Sequence, residues 1–81
     1  MYLKFSVFGE DEKLEPLFQI RKASMVPQKG TLLTLHYRDE ATKFTIVNII
    51  HQYVAPHDDA KRVSLFYIDV LLRPFAKGEK K

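Results

Sequence analysis

Three histidines, His36, His51 and His57, and the two carboxylates that follow the last of them are the residues of this chain best suited to hold a metal ion or move a proton. His57, Asp58 and Asp59 offer three potential ligands in one stretch. A zinc site needs three or four convergent side chains fixed by hydrogen-bonded neighbours, whereas consecutive loop residues point in different directions and chelate poorly. The stretch therefore reads as a solvated loop with no metal. His36 and His51 fall on adjacent antiparallel segments where they could meet across the sheet, but the expected reading is simply a polar outer face.

Nucleophilic and phosphate chemistry find less support. There is no cysteine, and Ser6, Ser24 and Ser64 stand outside any pattern that pairs a serine with a histidine. A phosphate cradle needs a glycine-rich loop, yet Gly9, Gly30 and Gly78 are isolated. The carboxylates Glu10, Asp11 and Glu12, like Asp58 and Asp59, lie in polar stretches and should stay solvated, without the burial that general acid chemistry requires. The chain is not expected to be an enzyme, and no cofactor is expected.

The elements that would position these residues are strands. Leu3, Phe5 and Val7 share one face of a first strand over Tyr2 to Phe8, which Gly9 ends. Residues 10 to 25 are ambiguous: Leu17, Phe18 and Ile20 suit a short strand, but Pro16 also suits the first position of a short helix running towards Ser24. Pro27 and Gly30 mark a turn. Thr31 to Arg38 then alternates as a strand, with Leu33, Leu35 and Tyr37 on its apolar face. After a hairpin-type connection at Asp39 to Thr42, Lys43 to Val54 is long for one strand. Its alternation changes phase between Phe44/Ile46 and Val47/Ile49, which predicts a bend or bulge near Asn48. Ala55 to Lys61 reads as a loop, and Lys61 to Leu72 as the strongest strand, stopped by Pro74. Leu33, Leu35, Ile46, Phe66, Ile68 and Val70 are the expected core.

With 81 residues, the chain is sized for one domain, residues 1–76, and a polar tail, 77–81. Hydrophobic residues at 46% and charged residues at 28% suit a globular fold, not disorder. The absence of cysteine excludes disulfides and leans towards a cytoplasmic setting. No apolar run approaches the roughly 18 residues of a membrane span. The net charge of +3 is concentrated at the end: residues 77–81 hold three of the thirteen Lys/Arg and one of the ten Asp/Glu, which leaves residues 1–76 at +1.

Five strands joined by short turns imply a mainly β fold, a small five-stranded antiparallel barrel or curled sheet. The stretch Val26-Pro27-Gln28-Lys29-Gly30-Thr31-Leu32-Leu33-Thr34-Leu35, the segment Phe44-Thr45-Ile46-Val47-Asn48-Ile49-Ile50-His51 and the ending Leu71-Leu72-Arg73-Pro74 resemble small SH3-like β-barrel proteins of bacterial and phage genomes. That resemblance covers about two-thirds of the chain. It implies an SH3-like barrel, a fold that binds peptides, nucleic acids or other proteins.

Function is expected to reside in surfaces. The last strand is apolar on both faces, and a small barrel can enclose only one. The second face, with Val63, Leu65, Tyr67 and Leu71, must be covered by residues 10–25 or by a partner, either a second copy or another protein. The chain is thus expected to be a non-catalytic module for protein–protein contact, an inhibitor or accessory subunit. The alternative is nucleic-acid binding through Arg38, Lys43, Arg62, Arg73 and the lysine tail, with Tyr37 or Tyr53 stacking on bases. The nearly neutral body weighs against it.

Overall fold

The computed structural model describes residues 1–75, and the expected tail at 77–81 lies outside them. Five strands form: β1 (Leu3–Phe8), β2 (Leu14–Ile20), β3 (Leu32–Tyr37), β4 (Glu40–Val54) and β5 (Ser64–Pro74). β1, β4 and β5 carry the β-branched and aromatic residues that pack well on a pleated surface, and β2 and β3 add leucines. The described residues contain no helix, so the ambiguous segment 10–25 resolves as a strand. Its anchor is Phe18, whose ring stacks on Phe5 with centroids 4.4 Å apart. Pro16 falls beside a register shift in the β1–β2 ladder, on an edge strand, where a missing N–H is tolerated.

The strands make one curled sheet in the order β2-β1-β5-β4-β3. It remains open, since β2 and β3 are its two edges. Three of its four pairings are antiparallel, but β1 lies parallel to β5, with Leu3 beside Ile68, Phe5 beside Val70 and Val7 beside Leu72. An all-antiparallel sheet was the expectation. The difference arises because the first strand inserts between its hairpin partner β2 and the last strand, where its apolar face joins that of β5.

The core lies on one face of the three inner strands: Leu3 and Phe5 from β1, Ile68, Val70 and Leu72 from β5, Phe44 and Ile46 from β4. Leu33 and Leu35 pack partly buried against it, as do Val7, Phe18 and Ile49. Segment 21–31 closes over this face. Ala23 N–H donates to Met1 C=O at 2.8 Å, and Gly30 N–H to Ile46 C=O at 2.7 Å. Gly30 has φ of 91°, a left-handed conformation that costs glycine little. Phe66, an expected core residue, is instead 59% exposed. The ladder shifts register there, pairing Gln52 with Tyr67 but Tyr53 with Leu65, so Phe66 stands out of the alternation and beyond the strands that would cover it.

The expected bend in β4 is a register shift between Ile46 and Asn48. Arg38 and Asp39 link β3 to β4 as a two-residue hairpin turn with positive φ of 53° and 65° at both positions, the left-handed pair whose twist matches the flanking strands.

Candidate interaction surface

Strand lengths create the surface. β4 has 15 residues and β5 has 11, but β1 and β3 have only 6 each. β3 pairs with β4 only as far as Thr45, and β1 pairs with β5 only from Ile68 onwards. Gln52–Val54 and Ser64–Tyr67 therefore pair with each other alone, as a two-stranded arm. The molecule is correspondingly long, with extents of 52 × 26 × 20 Å.

The arm is apolar and open to water. Tyr53 is 61% exposed, Val63 54%, Val54 48% and Leu65 40%, besides Phe66. Of the four residues expected to form a partner-binding face, Val63 and Leu65 belong to this patch. The other two do not. Leu71 is buried, since it lies on the central strand between Ser6 of β1 and Asn48 of β4, whose side chains shield it from both sides. Tyr67 is half-buried at the base of the arm, where Lys4 Nζ stands 4.2 Å from its ring centroid and the Tyr2 ring is 6.2 Å away. Cover for this second face thus comes mainly from β1, with residues 14–20 placed at the sheet edge. Phe66 and Val54 join the exposed patch although the alternation pattern assigned Phe66 inward. The usable signal was length, because a 15-residue strand cannot be flanked on both sides along its whole course by neighbours of 6 and 11 residues.

Several polar side chains along the sheet are engaged with one another. Gln52 Nε2 donates to Asp69 at 3.0 Å, and Tyr2 Oη donates to Gln19. In the tip loop, Arg62 Nε is 3.1 Å from Asp59 Oδ2. Arg73 holds Glu12 through two N–H donors at 2.8 and 3.1 Å and lies over the Phe8 ring at 4.6 Å. The paired hydrogen bonds, then the charge of the guanidinium, draw the Glu12 carboxyl below its ordinary value and raise that of Arg73.

The basic residues singled out for nucleic acid do not converge. Arg38 lies in the β3–β4 turn over the ring of its neighbour Tyr37, and Lys43 follows on β4. Arg62 and Tyr53 belong to the opposite end of the β4–β5 hairpin, roughly 30–35 Å away at about 3.3 Å per strand residue. Arg62 and Arg73 are each paired with a carboxylate. His36 and His51 do not meet either: His36 pairs with Ala41 and His51 with Ile68, which sets them about ten strand positions apart. His51 instead stacks on Tyr53 of its own strand, with centroids 6.4 Å apart. Among the described residues, no three His, Asp or Glu side chains are grouped to hold a metal ion, and no helix is long and apolar enough to cross a membrane. A shallow groove of about 480 Å³ between β1, Ile20 and segment 22–27 is lined chiefly by apolar side chains and Lys22, a lining without paired acid and base groups.

No family model, curated protein or solved structure matches this chain.

Proposed function

We propose that the chain is a small, non-catalytic, cytoplasmic interaction module that acts by protein–protein contact through the β4–β5 arm, as an inhibitor or accessory subunit. The observation that carries this reading is the arm itself. Tyr53, Val54, Leu65 and Phe66, with Val63 just before β5, are exposed on a two-stranded segment with no third strand to cover it. A hairpin in water is at best marginally stable on its own, and large exposed apolar patches on small proteins mark interfaces. Aromatic side chains such as Tyr53 and Phe66 are the anchors from which contact surfaces draw most of their affinity. An SH3-like resemblance suits such a role, since those barrels take peptide and protein partners.

The test is site-specific photocrosslinking. A photoreactive side chain at Phe66 should give protein adducts in the native host, and the same group at Glu15, on the β2 edge, should not. Equal yields at both positions, or salt-sensitive retention on a nucleic-acid column without any protein adduct, would sink the reading, because phosphate contacts release counterions and apolar ones do not.

A further inference from the structure

The partner can be read from the free edge of β4. Ile46 sends its N–H to Thr31 and receives the Gly30 N–H on its carbonyl, so β4 is covered on its β3 side up to that residue. Beyond it, none of the backbone bonds among the described residues reaches β4 from that side. Alternate residues of a strand turn their N–H and C=O to opposite sides. The Ile49 N–H, just past the register shift, is taken by the Asn48 side chain at 2.9 Å and not by β5. Alternation from Ile49 aims the N–H and C=O groups of His51 and Tyr53 outwards, away from β5.

Sheet edges are ordinarily blunted with charge, proline or a bulge. The β2 edge has Glu15, Pro16 and a register shift. The free β4 edge has register shifts too, at Ile46/Asn48 and at Gln52/Tyr53, but neither charge nor proline. From Phe44 to Val54 there is no Asp, Glu, Lys or Arg, and apart from Asn48, His51 and Gln52 the residues are Ile, Val, Thr, Phe and Tyr. Such a strand can be laid against itself without bringing like charges together.

We infer that the arm pairs with the arm of a second copy of this chain, antiparallel, with Gln52 on the two-fold axis and His51 of each copy opposite Tyr53 of the other. This rests on the interaction-module reading and names its partner. The register uses every outward group of His51 and Tyr53, four hydrogen bonds in all, and stops where the Asn48 side chain already occupies the Ile49 N–H. It places the imidazole of His51 beside a phenol, whereas a register centred one residue earlier would oppose the two imidazoles, pair Ile49 with Tyr53 and displace Asn48. The pairing brings together the exposed Tyr53 and Val54 of each copy, which lie on β4 itself.

Gln52 would form the closely spaced, non-hydrogen-bonded pair, with Cα atoms about 4.5 Å apart, within the 4.4–6.8 Å span of a disulfide. Because the chain has no cysteine, Gln52→Cys introduces a single thiol. On mild oxidation it should give a disulfide-linked dimer at least about tenfold faster than Ile50→Cys, whose thiols would be offset by about 13 Å along the strands. Light scattering on the unmodified chain should show twice 9.5 kDa at high concentration. His51→Pro, which removes an outward N–H from each copy, should weaken dimerisation at least about tenfold while the monomer still melts cooperatively. The amides of His51 and Tyr53 should gain exchange protection as concentration rises. A mass of 9.5 kDa at every concentration, or equal crosslinking of Ile50→Cys and Gln52→Cys, overturns the self-pairing. If that happens while Phe66 still crosslinks to another protein, the module reading stands without it, and if Phe66 gives no adduct, both fall.

Discussion

Leu72→Ala and Phe66→Ala form a discriminating pair, because alternation along β5 puts both side chains in the core and the folded sheet accepts only one. Leu72 is 0% exposed and lies beside Val7 of β1 and Ile46 of β4. Truncating a leucine so enclosed costs about 2–5 kcal/mol, transfer and cavity together. A domain of this size has roughly 4–12 kcal/mol of stability, at about 0.05–0.15 kcal/mol per residue. Phe66 is 59% exposed, so only some two-fifths of its burial is at stake. From about 3 kcal/mol for full burial, that is about 1 kcal/mol. At about 4–8 °C per kcal/mol, Leu72→Ala should lower the melting temperature by about 8–40 °C and Phe66→Ala by about 4–8 °C. The assay is a thermal melt followed by circular dichroism at the lowest workable concentration, so that self-association does not add to the apparent stability. Equal shifts, or a larger one for Phe66→Ala, would refute the placement of the core and the openness of the arm together.

Tyr67→Lys should destabilise the monomer by about 1–2 kcal/mol, since it removes the ring under Lys4 and beside Tyr2 and sets a second cation there, and chemical denaturation would measure it. Asp39→Gly should stabilise by roughly 0.5–1 kcal/mol in the same assay, because it relieves a side chain held at positive φ in the two-residue turn. For Glu12→Gln the expectation concerns pH: the carboxyl is drawn below its ordinary 4.5 by Arg73, so its contribution is complete above 4.5 and lost as pH falls through the lowered value. The stability gap between wild type and Glu12→Gln should therefore be present at neutral pH, shrink below pH 4.5, and narrow with added salt because the pair is exposed.

Five strands, the bend at Asn48 and the inward placement of Ile46, Ile68 and Val70 were legible because period-two alternation is a local property of sequence. Residues 10–25 were not, since Leu17, Phe18 and Ile20 suit a strand or a helix equally until Phe5 offers Phe18 a partner. Leu71 and Phe66 show the same boundary from opposite sides. Alternation assigns a face but says nothing of how far along the strand that face is covered. Leu71 lies where neighbours flank β5 on both sides, and Phe66 lies past the point where β1 ends. Of the residues expected on the partner-binding face, Val63 and Leu65 are exposed, as counting apolar side chains implied, and Tyr67 and Leu71 are covered by neighbours that only topology supplies.

The parallel contact between β1 and β5 governs when this molecule can become itself. Leu3 and Phe5 leave the ribosome first, yet the strand they lie against, Ile68 to Leu72, is made more than sixty residues later. The hairpins β1–β2 and β3–β4 are local and can form early, but neither holds a core alone. At about 5–20 residues per second, the nascent chain spends several seconds with its most apolar side chains unpaired. Closing the sheet is then a single late event that joins two preformed hairpins through one central strand, a nonlocal step with a slow-folding character. Any truncation that stops before Leu72 should consequently leave two loose hairpins in place of a smaller version of the fold.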